Sequence, residues 1–477
     1  MSTFGGIETA LSALRAAQVM VETSTQNTAN ANNPNYSRQV VDLQANPAYP
    51  APGMTAVGPG QIGTGVSVTG IQRMTDSYTT SQLRLALSQQ NADTVTQNTT
   101  SQIQRMFNEL SGSGISTELS QFWSSWQDVS NSPTDSGVRT SLIDQAQSLA
   151  NSIQQAASQL TSLQQNLDQQ VTQQVSTVNT LTNQIAGLNQ QIVVVQATGQ
   201  QPNDLLDQRD ALLSQLTGLA QVQIDQQSNG AVQVTLGGKP LVDGSTSFAL
   251  STATNSNGFQ NIVASDGTVI QPQNGSLAAL EQMRDAEIPT RLNALNAFTQ
   301  RLITAVNVVH EGTVPTTGAT VTNVYNLVTP GTPAQTPFFT GTDATNIAVN
   351  SALVQNPNLI AASQTPNGPG DGSNALAIAN LQNDPTAGGA ATGSPTIDGQ
   401  YQQFATDIGS SAATAENNAN DQQVLVNNLQ QQQAQVAGVS LDQEAANLIT
   451  YQQAYQAAAK AMTVFDTLLD TLINKTG

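Results

Sequence analysis

The chain has 477 residues, 32 acidic against 13 basic side chains, a formal net charge of -19 and no cysteine. That balance argues against nucleic acid and against anionic membrane surfaces, which call for lysine and arginine, and the absence of thiols removes disulfides, thiolate metal sites and cysteine nucleophiles. Charged side chains make up only 9% of the residues, so ion pairs hold little of the protein together, and packing must do it over a length that suits two to four domains.

The N-terminal segment sets Phe4, Ile7, Leu11, Leu14 and, after Gln18, Val21 at steps of three and four, one stripe of an amphipathic helix. With a single Arg in its first 20 residues it does not read as a secretory leader. The polar block "STQNTANANNPNYSRQVVDLQA" follows. It is too polar for a core strand, and its helix is expected to stop before Pro34, which cannot continue one. Residues 46–70 read as turns with a short hairpin around "GVSVTGI", and helix returns over 76–110. A second long helix is expected over 132–197, with Ser132 as N-cap and Pro133 at its first position. Its seam is Leu149, Ile153, Ala156, Leu160, Leu163 and Leu167, resuming after a four-residue stutter at Val171, Val178, Leu181, Ile185, Leu188, Ile192 and Val195. Such a rod is roughly 95 Å long.

From 222 to 270 the period changes to two, which predicts a small β-rich region. Residues 275–312 are helical again, and 313–400, dense in Pro, Gly, Thr and Asn, read as a loop-rich insertion with short strands. Two helices over 401–437 and 441–473, broken at Gly438, complete the chain. In the last of them Leu448, Tyr451, Tyr455, Ala458, Met462, Phe465, Leu469 and Leu472 step by three and four without a miss, a heptad seam. No apolar run approaches a membrane span.

The predicted fold is mainly α with β-rich insertions, elongated and multidomain, its N- and C-terminal helices paired as a coiled coil. The expected division is 1–60 plus 438–477 as a terminal assembly domain, 61–221 plus 275–312 plus 401–437 as a long-helix bundle, 222–274 as a β-rich domain and 313–400 as a loop- and strand-rich outer domain. Isolated terminal helices with so few Glu–Lys pairs are marginal, so they are expected to be mobile in the monomer and to complete their folding against neighbouring subunits.

No residue pattern assigns a catalytic, cofactor or metal site. Gly58, Gly60 and Gly63 match a dinucleotide-type glycine spacing without the strand and helix it needs. His310, the only histidine, is expected near a helix C-terminus, facing solvent or favouring the dipole. Phe122, Trp123 and Trp126 are expected as packing anchors. Asp207 and Asp210 in "PNDLLDQRDALL" are expected to cap or pair locally.

Several stretches in order then resemble the junction branch of the flagellar rod, hook and junction axial family: "NTANANNPNYSRQVV", "IGTGVSVTGIQRMTDSY", "FWSSWQDVSNSPTDSGVR", "TNQIAGLNQQI" and "GVSLDQEAANLITYQQAYQAAAKAM". Tyr36-Ser37-Arg38-Gln39 favours the junction proteins over rod or hook subunits. Asn33 and Asn35 depart from the Thr and Gly common beside that proline.

The resemblance implies a structural subunit, not an enzyme, joining hook to filament and needed for filament assembly. It implies self-association in a helical or ring-like junction, with the hook protein on one side and a second junction protein and the filament on the other. An export chaperone is expected at the C-terminal region, and export to the extracellular flagellum without a cleaved signal peptide. The assembly surface is then expected at Phe4, Ile7, Leu11, Leu14 and Val21, in the turn through Asn30, Asn32, Pro34, Tyr36 and Arg38, and along Leu448, Tyr451, Tyr455, Met462, Phe465, Leu469 and Leu472. The alternatives are a rod or hook subunit of the same family or, more remotely, a secreted coiled-coil adhesin or enzyme.

Overall fold

The computed structural model describes residues 3–48, 63–107, 114–312 and 323–475. Helix α1 (Thr3–Ala29) runs further into the polar block than a connection outside the helix would. Residues 24–29 stay helical because Ser24 and Asn27 are buried against other segments, while the Thr25 and Thr28 hydroxyls are satisfied on the carbonyls of Val21 and Ser24. The non-helical connection is therefore only the second half of the block, and it begins well before Pro34. The end of the same quoted stretch forms strand β1 (Gln39–Ala45), which pairs antiparallel with β2 (Val66–Arg73), Gln39 opposite Arg73. This polar ribbon leaves Val40 and Leu43 exposed, so it is a strand without being a core strand.

Helix α2 (Ser77–Phe107) starts at Asp76, whose carboxylate accepts from the Tyr78 N–H at 3.0 Å and from the Thr79 hydroxyl. It lies along α10 (Ile397–Ala437), with Leu83, Ala86 and Val426 buried together. The long helix departs from expectation at its start. A separate α3 (Ile115–Asn131) comes first, and α4 (Ser136–Ala197) begins at Asp135, which accepts from the N–H groups of Gly137 (2.7 Å) and Val138 (3.3 Å). Asp135 offers the orphan donors a charged acceptor, so it caps in place of Ser132 and leaves Pro133 in the turn. The expected α4 seam from Leu149 to Ile192 is buried throughout, with Val175 filling the step between Val171 and Val178 and Val195 half-buried. Helix α5 (Asn203–Leu219) folds back along α4.

The period-two region is a four-stranded antiparallel meander, β3 (Gln223–Gln226), β4 (Val232–Leu236), β5 (Lys239–Asp243) and β6 (Thr246–Ser247), followed by the hairpin β7 (Ser251–Thr254) and β8 (Gln260–Val263). The next helix is not uniform. Between α6 (Ser276–Gln282) and α7 (Ile288–His310) lies a π turn, Met283–Glu287. Arg284 in that turn is fully buried, its guanidinium on Asp168 (2.8 Å) and Asp285 (2.7 Å), while its carbonyl accepts from the Gln164 amide at 2.7 Å. The wider turn goes with the inward placement of this cation.

The segment 323–396 contains two short strands, β9 (Phe339–Thr340) and β10 (Ala348–Val349), and two short helices, α8 (Ser351–Gln355) and α9 (Ser373–Asn380). Phe338 and Phe339 insert into the aromatic cluster of Phe122, Trp123 and Trp126, so one contiguous core runs from α3 and α4 through the meander and this segment to α10. His310 joins that cluster instead of facing solvent. It is fully buried, its Nδ1 lies 2.8 Å from the Thr336 carbonyl, and its Nε2 accepts from the Ala361 N–H at 3.0 Å. The chain returns over the end of α7 and covers it, which helix periodicity does not register. Finally, α11 (Leu441–Lys475) follows the break at Gly438 and lies along α1. A Cβ at residue 438 would stand 2.3 Å from the Ala434 carbonyl oxygen, which explains the glycine.

Candidate functional site

The paired termini are the candidate site. Two contacts fix the pair as antiparallel: Gly6 lies against the Phe465 ring at one end, and the Ser24 hydroxyl donates to Glu444 Oε2 at 2.7 Å at the other. The α1 positions that become fully buried are Ala10, Ala16, Ala17, Thr23, Ser24 and Asn27, all small or polar. They sit beside the expected stripe, not on it. Ile7, Leu11, Leu14 and Val21 are half-buried, and the side chain of Phe4 lies outside the described residues. On α11, Leu448, Tyr451, Met462, Phe465 and Leu469 are also half-buried and Ala458 is buried, whereas Tyr455 is exposed. The Leu472 side chain is outside the described residues. Leu441, Ile449, Val464 and Leu468 are exposed, so α11 carries apolar surface on two sides.

Where α1 ends, the chain is tied down by a polar knot. Asn27 works as a two-way clamp on Gln39: its amide donates to the Gln39 carbonyl and its Oδ1 accepts from the Gln39 N–H, both at 2.9 Å. The same Oδ1 accepts from the Tyr36 hydroxyl at 2.8 Å. Arg38 Nε donates to Glu444 Oε1 at 2.8 Å. The Arg38 backbone is held as well, its N–H on the Ala437 carbonyl and its carbonyl on the Met74 N–H, both at 2.8 Å. Burial alone would raise the Glu444 carboxyl, but the bonds from Arg38, Ser24 and Asn27 hold it below the usual range. Burial, with Asp204, Asp207 and Glu444 nearby, pushes the Tyr36 phenol well above its usual value, so it remains a donor. Of the other expected turn residues, Asn30 bonds the Gln26 carbonyl at 3.0 Å, and Asn32 and Pro34 are exposed.

The knot reaches the helical body through α5. Asp207 accepts from the Ser37 hydroxyl (2.7 Å), the Ser37 N–H (3.0 Å) and Arg73 (2.7 Å). Asp210 takes a second bond from Arg73 and one from Arg84, both at 3.0 Å. The local pairing expected of these aspartates is thus replaced by partners more than a hundred residues away. Asn203 adds a bond to the Ile71 carbonyl at 2.8 Å. Between the Asn-rich turn and the α4–α5 pair lies a groove of about 760 Å³, lined by amides such as Asn33, Gln184 and Gln191 and by Asp204 and Asp207. Ser24, Asn27, Ser37, Arg73 and Glu444 did not stand out in the sequence, and Asp207 did so only with local partners expected.

The glycine spacing leads to nothing further: Gly58 and Gly60 lie outside the described residues, and Gly63 precedes β2 in a loop. Among the described residues, no helix is long and apolar enough to cross a membrane.

Comparison with known proteins gives a consistent result. Residues 100–325 match the model for the flagellar hook-associated protein FlgK helical domain, and 430–475 match that for the flagellar basal body rod FlgEFG protein C-terminal region. The flagellar hook-associated protein 1 of Bacillus subtilis (strain 168) is 28% identical, with 100% of this chain and 99% of the relative covered. That of Escherichia coli (strain K12) is 28% identical over 98% of this chain and 99% of its own. The flagellar hook junction protein FlgK from Burkholderia pseudomallei superposes with a TM-score of 0.61 at 20% identity, over 75% of this chain and 100% of that one, a likeness of fold. A helical body with this match, a rod-type C-terminal helix and end-to-end similarity lead to one conclusion: the chain is a structural subunit of the bacterial flagellum, similar over its whole length to flagellar hook-associated protein 1.

Proposed function

We propose that this chain is the subunit that joins hook to filament in the flagellum, and that it self-assembles, without catalysis, through α1 and α11. The observation that carries this reading is the half-covered apolar surface on both terminal helices. Ile7, Leu11, Leu14 and Val21 on one helix and Leu448, Tyr451, Met462, Phe465 and Leu469 on the other are only half-buried within the chain and leave apolar surface in contact with water. Further burial of such surface gains on the order of 25 cal/mol per Å², and copies of the same chain in a helical or ring-like junction would supply it.

The turn through Asn30, Asn32, Pro34, Tyr36 and Arg38 then carries the terminal pair away from the helical body at a set angle. The pair, residues 1–60 with 438–477, acts as the inner assembly domain. The bundle of 61–221, 275–312 and 401–437, with the parts 222–274 and 313–400, faces outward. The hook protein lies on one side, a second junction protein and the filament on the other, and an export chaperone engages the C-terminal helix before passage to the extracellular flagellum.

Removal of residues 438–477 tests the assignment. Among the described residues, the main core contains none from α1 or α11, so the truncated protein should stay folded by circular dichroism and yet fail to bind the tips of isolated hooks. Tip binding by the truncated protein at wild-type level would end the proposal. Electron microscopy of a strain lacking the gene should show hooks without filaments; loss of hooks would indicate a rod or hook subunit instead.

A further inference from the structure

The α1 face that packs on α11 repeats by seven residues. Ala10, Ala17 and Ser24 form one row, and Ala16 and Thr23 form the next. Small side chains one heptad apart present nearly the same surface after a slip of seven residues, roughly 10 Å along the axis. Packing alone therefore opposes such a slip weakly. Between the two helices, the contacts at the two ends are not periodic. At one end the buried Glu444 carboxylate takes the Ser24 hydroxyl at 2.7 Å and Arg38 Nε at 2.8 Å. At the other, Gly6 lies so close to the Phe465 ring that a Cβ there would stand 2.5 Å from it.

The two directions of slip meet different obstacles. Slipped one way, Phe465 faces Ala13 and its methyl, and Glu444 runs past the end of α1 at Ala29. Slipped the other way, Phe465 moves off Gly6 and past Thr3, where α1 begins, while Glu444 faces Ala17 and its carboxylate loses the Ser24 donor. We propose that Glu444, held by Ser24 and Arg38, is the residue that determines the register of the terminal helix pair, with Gly6 as a steric stop against slip in the opposite direction. Because the Arg38 backbone is bonded to Ala437 and Met74, this register is referenced to the end of α10 and the exit of β2, not to the pair alone. A buried polar group in an otherwise small and apolar seam gives up stability and selects one alignment. This inference does not depend on where in the flagellum the chain resides.

The natural chain has no cysteine, so introduced pairs report alignment cleanly. Ala10 and Ala458 each stand two heptads from Ser24 and Glu444 along the antiparallel pair, so Ala10→Cys with Ala458→Cys reports the native register in the full-length monomer. Ala10→Cys with Tyr451→Cys reports the seven-residue slip that Glu444 opposes, and Ala10→Cys with Tyr455→Cys reports nonspecific fraying. With Glu444 present, oxidation should trap the first pair. Glu444→Leu should raise the slipped product at least fivefold and halve the native one, with the fraying pair unchanged. A slipped yield that does not rise, or one that rises only in step with the fraying pair, overturns the proposal. If Glu444→Leu loses helix by circular dichroism, Glu444→Gln decides: it keeps a bond to Ser24 without the ion pair, so a slipped yield between the other two is expected, and an unchanged one refutes it.

Discussion

His310 offers the sharpest test of the core. Its imidazole is fully buried between α7 and the returning chain, with Nδ1–H donating to Thr336 and Nε2 accepting from Ala361. Protonation would set a second N–H against the Ala361 donor, beside the rings of Trp126 and Phe338 and under the field of Arg139. Burial, with the Arg139 charge adding to it against the Thr336 bond, lowers its pKa from 6.5 to about 4. The unfolded chain thus binds this proton first. The stability contributed is complete above pH 6.5 and is lost as pH falls toward 4. Linkage puts the loss at about 2 kcal/mol between pH 7.5 and pH 5. The two tryptophans lie in the same cluster, Trp126 with its ring centroid 6.1 Å from that of His310, so urea titrations followed by tryptophan fluorescence read the right region. His310→Gln should be less stable at both pH values but should lack this share of the pH dependence. Parallel profiles for wild type and variant would refute the argument.

Glu281 should act in the opposite sense: burial raises its pKa to about 7, against the pull of Arg284, so the stability it contributes is complete below about pH 4.5 and lost as pH rises through 7. Glu281→Gln should therefore be ~1–3 kcal/mol more stable than wild type at pH 8 and no better at pH 4.5, as read by urea midpoints. Arg284→Met strands the mostly buried carboxylate of Asp168 and should cost ~3–5 kcal/mol, a loss of several degrees in Tm by calorimetry. Trp126→Ala should cost ~3–5 kcal/mol; Trp126→Phe should cost much less, because the indole N–H it removes has no partner among the described residues.

Periodicity placed the long helices and the period-two region, though not α3 or β1, because a buried stripe repeats at 3.6 residues and a half-buried strand at two. That is why the α4 seam from Leu149 to Ile192 was legible in the sequence. The tertiary structure decided everything that depends on groups distant along the chain. It moved the deepest face of α1 from Leu11 and Leu14 to Ala10 and Ala17, since a close partner helix selects small residues over large ones. It buried His310 under a later segment and opened a π turn around Arg284. It also gathered Asn27, Arg38, Asp207 and Glu444 into one knot. Hydrogen bonds and ion pairs leave no periodic trace: each needs a single partner at one place, and only the folded chain names it.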